Sequence, residues 1–211
     1  MLHIVIATRN QHKFRELKGL LRVSGIRWHS FDESPRVAAV NETGRTFDAN
    51  ARKKALAVAR ATGCLALADD SGLEVDALGG APGVRSARFA GGHGDDQANN
   101  RKLLRLLWRR PMSQRRARYR CSLALAGPRR VIGVVQGRWE GRIAFRCAGA
   151  RGFGYDPIFL VPRLRKTVGQ LPARVKQRLS HRAAAARKLR RVLTKLVHRK
   201  SKLKSKRRFE F

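Results

Sequence analysis

Apolar positions along the chain follow two rhythms, short continuous runs and helical spacing, and they alternate. The run Leu2-His3-Ile4-Val5-Ile6-Ala7 predicts a buried first strand. A polar turn, Thr8-Arg9-Asn10-Gln11, leads into a helix in which Phe14, Leu17, Leu20 and Leu21 share one face. An extended piece over 26–31 and a loop at Asn41-Glu42-Thr43-Gly44 come next, then a helix N-capped by Thr46 and running to about Arg60. Ala66-Leu67-Ala68 reads as a buried strand that ends in Asp69-Asp70, with Ser71-Gly72 as the turn after it.

Farther along, Gly79-Gly80-Ala81-Pro82-Gly83 is a compact loop. Asp95 and Asp96 can cap a helix with Leu103, Leu104, Leu106, Leu107 and Trp108 as its apolar side. Two β-like stretches, 117–126 and 130–138, flank Gly127-Pro128 and suggest a hairpin. A Gly-rich loop over 149–157 precedes a strand at 158–161. A last helix starts after Ser180, with Leu189, Val192, Leu193, Leu196 and Val197 at helical spacing. There is no internal repeat and no clean linker, so 1–198 reads as one domain with two lobes. From Arg199 the apolar pattern fails, and 199–211 reads as a disordered basic tail.

Charge changes this picture more than length does. The 211 residues carry 48 Lys and Arg against 14 Asp and Glu, a net charge of +34. Such a field attracts polyanions, whether nucleotides, nucleic acids or acidic membranes, and says little about fold. Cys64, Cys121 and Cys147 are odd in number and far apart, which supports neither a zinc ribbon nor a disulfide framework; reduced, partly buried thiols are expected. The N-terminal apolar run is too short for a signal-peptide core, and no run reaches the roughly 18 residues of a membrane span, so a cytoplasmic protein without a membrane anchor is expected.

Four clusters carry chemistry, each beside a plainer reading. Thr8-Arg9-Asn10-Gln11-His12-Lys13 lies between strand and helix, where backbone N–H groups favour a phosphate, or it simply caps the helix. Asp69-Asp70 suits a divalent metal and activation of water, or caps a strand; Glu42, near Lys53 and Lys54, could complete an oxygen site for Mg²⁺ or stay solvated. Gly152-Phe153-Gly154-Tyr155-Asp156-Pro157 could admit a flat ligand against the ring, or form a tight turn with a core Phe. Ser180-His181-Arg182, preceded by Lys176, offers an N-cap and two donors near a helix start that could read base carbonyls or an anion.

Taken together, the clusters resemble the house-cleaning pyrophosphatases that act on inosine and xanthosine triphosphates. The matching pieces are Ala7-Thr8-Arg9-Asn10 with Lys13; Thr46-Phe47, Asn50-Ala51 and Lys54-Ala55; and Ala68-Asp69-Asp70-Ser71-Gly72-Leu73. Gly79 to Gly83 with Ser86-Ala87-Arg88, Gly152 to Phe159, and Ser180-His181-Arg182 follow in order, and the likeness spans about residues 2–196. It implies an elongated α/β fold, two lobes around a long mixed sheet with the nucleotide in the cleft between them. It also implies a homodimer, Mg²⁺, and hydrolysis of ITP, dITP or XTP to monophosphate and pyrophosphate.

By the same resemblance, Thr8, Arg9, Asn10 and Lys13 hold phosphates with Lys54 close by. Glu42 and Asp70 bind the metal with Asp69 in support, Asp70 is the general base, and Ser71 touches substrate. Phe153 stacks on the base, Gly154, Tyr155 and Asp156 shape its pocket, and Lys176, His181 and Arg182 read the purine edge. The chain departs from the family at Asn41, where relatives often carry a second acid, and over 173–178, basic here and commonly acidic there. The tail lies outside the likeness. A pyrophosphatase for modified pyrimidines and a nucleic-acid-binding protein are the competing readings. The tail is expected to bind RNA or DNA weakly, without sequence preference, or to have no partner at all.

Overall fold

The computed structural model describes residues 1–33, 40–92 and 94–206. Twelve regular elements occur in the order β1 (Leu2–Ile6), α1 (Gln11–Leu20), β2 (Ile26–Ser30), α2 (Phe47–Thr62), β3 (Leu65–Val75), α3 (Asp96–Leu106), β4 (Arg116–Ala126), β5 (Val131–Ile143), β6 (Phe159–Val161), β7 (Lys166–Thr167), α4 (Ala173–Leu179) and α5 (His181–Lys206), with short 3₁₀ turns between some of them. One open sheet of seven strands runs β2-β1-β3-β4-β5-β6-β7. β1 is parallel to both β2 and β3, and every later pairing is antiparallel. This is the mixed α/β sheet expected. Among the described residues no helix is long and apolar enough to cross a membrane.

Helices cover both faces at the parallel end. Leu17 of α1, Leu21 at its C-cap, and Leu189 and Leu193 of α5 pack on Ile4, Ile6, Leu67 and Leu123 on one side. Ala51, Ala55 and Val58 of α2 pack on Val5, Ala7, Ala66 and Ala68 on the other. A third apolar cluster, including Leu73, Val75, Tyr119, Trp139 and Phe159, lies at the far end of the long strands. β3, β4 and β5 therefore connect two core regions, and the middle of β3 lies between them.

The topology fixes where a ligand can enter. α1 joins β1 to β2 on one face, while α2 leads into β3 on the opposite face, so β1 and β3 flank a topological switch point. β1 pairs with β3 only over Leu65 to Leu67 and ends at Ile6, whereas β3 continues to Val75. Past the end of β1 no described strand pairs with that edge of β3; the 79–86 loop takes it up from Leu73 to Val75, and α1 begins beside the stretch between, with the Asn10 side chain accepting from the Lys13 N–H. A strand end and a helix N-terminus meet at the same crevice.

Several local expectations change. Asp69, Asp70, Ser71 and Gly72 lie inside β3, because β4 pairs along its whole length, Ser71 opposite Cys121 and Gly72 opposite Arg120. Ser71-Gly72 is therefore no turn; the glycine serves close packing instead. A Cβ on Gly72 would come 2.3 Å from Ser86 Oγ and 2.6 Å from the Gly83 carbonyl. α3 ends at Leu106, and Leu106 and Trp108 face solvent while Leu103 and Leu107 are buried, so its apolar stripe is narrower than predicted. β5 reaches Ile143, extended by pairing with β4 and β6. α4, a seven-residue helix with little apolar signal, was not anticipated. α5 keeps helical backbone through Lys206, past Arg199, since Lys, Arg and Leu favour a helix and no Gly or Pro interrupts. Residues 207–211 of the expected tail lie outside the described residues. Cys121 is buried, Cys64 half-buried and Cys147 exposed.

Gly72→Ala is expected to destabilise the fold by about 1–3 kcal/mol through overpacking against Ser86 and Gly83. Urea unfolding measures it, and a midpoint unchanged from the parent would refute the close-packing role.

Candidate active site

Strand alternation divides the paired acids. Successive side chains of a strand point to opposite faces, so Asp69 meets α1 and α5 while Asp70 meets α2. Both are buried. Their chemistry diverges accordingly.

Asp69 belongs to an ion network. The Arg182 Nε donates to its Oδ2 at 2.6 Å, and Lys13 Nζ lies 3.5 Å from its Oδ1. Burial by itself would raise the Asp69 pKa, but the Arg182 and Lys13 charges outweigh it and hold the carboxyl well below the usual range. Arg182 also donates to Ser71 Oγ at 2.7 Å and to Glu16 Oε2 at 3.0 Å. Glu16 Oε1 lies 2.8 Å from Lys176 Nζ, which also donates to Asp156 Oδ2 at 2.5 Å. Asp156 accepts from the Tyr119 hydroxyl and from the Phe153 N–H as well. Lys13, Lys176 and Arg182 thus face Asp69, Asp156 and Glu16, three cations against three carboxylates.

Asp70 sits in different surroundings. Burial, opposed by Lys54 and Lys13 and reinforced by Glu42, pushes its pKa up to about 6. Its Oδ2 has no hydrogen-bond donor among the described residues. Glu42 is ion-paired with Lys54, which the α2 helix carries with Asn50. Asn50 supports Asp70 by a hydrogen bond and brackets Gly44 through both its amide atoms. The Glu42 loop is thereby held beside Asp70.

A cavity of about 100 Å³ lies against the Asp69 side of the strand, and Asp70, Glu42 and Lys54 do not line it. It is lined by Asn10, Lys13 and Ser71 together with Phe153, Gly154, Tyr155, Asp156, Lys176, His181 and Arg182. Lys176 Nζ lies 4.2 Å from the centroid of the Phe153 ring and Arg182 Cζ 5.3 Å from it, while His12 stacks on that ring at 5.2 Å. His181 is buried and stacked on Tyr119 at 4.7 Å. Burial, with Arg182 beside it, lowers its pKa well below the ordinary value, so the imidazole is neutral; its Nδ1 has no partner among the described residues. Ser180 caps α5, its Oγ accepting from the Ala183 N–H, which sets His181 and Arg182 in the first turn. Gly154 takes φ +64°, donates its N–H to Asp96 Oδ2 and lends its carbonyl to Asn100.

Most of the expected residues converge here. Thr8 stands at the crevice, its Oγ accepting from the Asn10 N–H. Arg9 lies over the Phe31 ring, 5.4 Å away, and does not line the cavity. Tyr155 is a buried wall whose hydroxyl donates to the Ser86 carbonyl. Glu16 and Tyr119 were missed; Asn50, His12 and Asp96, present in the motifs and caps, had no role assigned in the site. For Glu16 a signal was present: three residues after Lys13 on a helix, it shares that face. Tyr119 and Asn50 come from elements whose approach only the fold decides.

A protein-family model matches residues 4–192. The chain belongs to the Ham1 family. It is 50% identical over 195 residues to a dITP/XTP pyrophosphatase of Desulforamulus reducens, covering 92% of this chain and 97% of that one. It is 46% identical over 193 residues to a dITP/XTP pyrophosphatase of Bacillus subtilis, covering 92% and 98%. Among solved structures, a HAM1 protein from Coxiella burnetii superimposes with a TM-score of 0.85 at 41% identity, covering 92% of this chain and all of that one. As a Ham1 protein, the chain keeps the family fold with the charge network described above inside it.

The Asp70 assignment has a stability consequence. Its carboxyl is favoured protonated in the folded state, so stability from this group is full below the unfolded value of 3.8 and is lost as pH rises through about 6. That gap corresponds to about 3 kcal/mol. In metal-free protein, Asp70→Asn is therefore expected to raise the midpoint of unfolding at pH 8 and to change it little at pH 4. A lowered midpoint at pH 8 would contradict the burial account.

Proposed function

We infer that this Ham1 protein hydrolyses non-standard purine nucleoside triphosphates, ITP, dITP and XTP, to the monophosphate and pyrophosphate, removing them from the cytoplasmic nucleotide pool. The observation that carries the reading is a pocket that holds an aromatic ring amid cationic donors and is lined by Lys13 and Ser71, with the buried, proton-accepting carboxylate of Asp70 next to Ser71 on the same strand and within reach of the Lys13 charge.

The residues divide the work. The α1 N-terminus with Thr8, Asn10 and Lys13, joined by Lys54, neutralises and orients the triphosphate. Phe153 offers a face for the base, and Gly154, Tyr155 and Asp156 hold the loop that carries it. Lys176, Arg182 and neutral His181 present donors to a 6-oxo purine; the 6-amino group of adenine would oppose them, and unpaired polar groups discriminate strongly. Asp69 serves to fix Arg182 and Lys13 on the opposite face of β3 from Asp70, and is read here as a positioning residue in place of a metal ligand. Arg9, over Phe31, stays at the rim of the phosphate end.

A divalent ion, Mg²⁺ in this reading, fits the donor set at Asp70 and Glu42. Asp70 Oδ2 is buried without a donor, Glu42 lies close enough to raise the Asp70 pKa, and both offer hard oxygen. Among the described residues no cluster of three such ligands exists, in keeping with a metal held by one or two carboxylates and substrate phosphates. When bound, such an ion supplies charge neutralisation and polarisation of the phosphates. Asp70 accepts the proton of the attacking water as the α–β anhydride breaks and pyrophosphate departs. With a pKa of about 6, it is ready to do so at neutral pH. The family implies a homodimer, which sedimentation equilibrium would test.

Pyrophosphate release from ITP, XTP, GTP and ATP with Mg²⁺ tests the reading directly. Turnover of ITP and XTP well above ATP is expected, with Asp70→Asn at least 10²-fold slower, on the order of the loss of a general base. A preference for pyrimidine substrates would overturn it. The pH profile of kcat/KM is expected to rise as Asp70 ionises, and Phe153→Ala to raise KM more than it lowers kcat. Equal activity of Asp70→Asn and the parent would remove Asp70 from the chemistry.

A further inference from the structure

One layer of the fold carries exposed cations on three neighbouring helices. Helices α1, α4 and α5 form the layer over one face of the sheet, and within their sequence the sole acid is Glu16. That acid turns inward to Lys176 and Arg182. Outward, the layer exposes Arg15 and Lys18 on α1, Arg22 just past its C-terminus, and Arg187, Arg191 and Lys195 on α5. None of the six is paired with a carboxylate among the described residues, and Arg187 donates only to the Arg178 carbonyl. Arg52, Arg118 and Arg138 elsewhere on the surface each have an acid beside them, whereas Arg101, Arg105, Arg109 and Arg116 around α3 are exposed without one among the described residues.

We propose that this helical layer is a binding surface for the sugar-phosphate backbone of nucleic acid, separate from the nucleotide crevice. Spacing supports it. Arg187 to Lys195 spans about 12 Å of helix, and Arg15 to Lys18 about 4–5 Å, with Arg22 beyond the helix end. The α5 row therefore runs past several phosphates, which recur every ~3.4 Å along a strand of duplex. Arginine, abundant in both rows, pairs with phosphate oxygens through two N–H groups at once. The sequence beyond Arg199 continues the cationic run with Lys200, Lys202, Lys204 and Lys206. An acidic membrane is the poorer partner. Leu17, Leu21, Leu189 and Leu193 are fully buried against the sheet, and among the described residues of this layer Leu179 is the one large apolar side chain that is exposed, too little to enter a bilayer. No base-reading element is evident, so binding is through charge and independent of sequence.

The test compares two variants of equal charge. One carries Lys18→Gln, Arg22→Gln, Arg191→Gln and Lys195→Gln. The other carries Arg101→Gln, Arg105→Gln, Arg109→Gln and Arg116→Gln, four exposed cations around α3 and the start of β4. Fluorescence polarisation with a labelled RNA of about 20 nucleotides, and with the matching DNA, is followed from about 50 to 200 mM salt. The helical-layer variant is expected to bind about tenfold or more weakly and to show a salt slope shallower by about 3, whereas the α3 variant stays near the parent. Triphosphate hydrolysis unchanged in both would confirm that each is folded. Equal weakening in the two variants would mean bulk charge and no defined surface, and would overturn the proposal. So would unchanged RNA binding by the first variant, or tighter binding to vesicles of anionic phospholipid than to RNA.

Discussion

The ion pair between Arg182 and Asp69 is the contact on which the crevice depends. It joins the first turn of α5 to the middle of β3, and through Glu16 it reaches α1. Both partners are buried, so neither can be lost without leaving the other uncompensated in a poor solvent for charge; breaking such a pair costs about 3–5 kcal/mol. Glu16 and Lys176 carry the constraint onward to Asp156 and so to the loop that bears Phe153. Three helices, one strand and one loop are thus held to a common geometry by electrostatics where apolar packing alone could slide.

That network also explains why two adjacent aspartates are not duplicates. Strand alternation places Asp69 among cations on one face, where it stays ionised and structural. It places Asp70 on the other face, where burial dominates and the carboxyl becomes a base that titrates near neutrality. Lys13 lies close enough to act on both, because β1 stops short and the two faces communicate past its end. One residue of chain separates a fixed charge from an adjustable one.

The surface charge has a different logic from the charge inside. In the crevice, cations and carboxylates are matched almost one for one. On the helical layer outside, cations stand without acids, and the one acid of that layer is spent inward. The same residue types therefore serve two ends, ordered by burial: paired and position-fixing where water is excluded, unpaired and long-ranged where it is not.

Much of this was legible in the chain. Apolar runs and helical spacing placed β1, α1, α2, the β4–β5 hairpin and the start of α5, since these patterns follow from periodicity and local capping. Thr46, Asn10 and Asp95 act as the caps their chemistry suggests. The motif residues, from Lys13 to Arg182, were visible as types suited to phosphate, base and metal. What the chain could not reveal was which of them meet. Ser71-Gly72 looked like a turn because only the pairing of β4 shows that β3 continues through it. Glu16 and Tyr119 looked ordinary because their partners lie far away in sequence. The opposed fates of Asp69 and Asp70 arise from two different helices packing on two faces of one strand. Periodicity is a local property written in the sequence; the pairing of buried charges is a long-range one, and only the tertiary structure decides it.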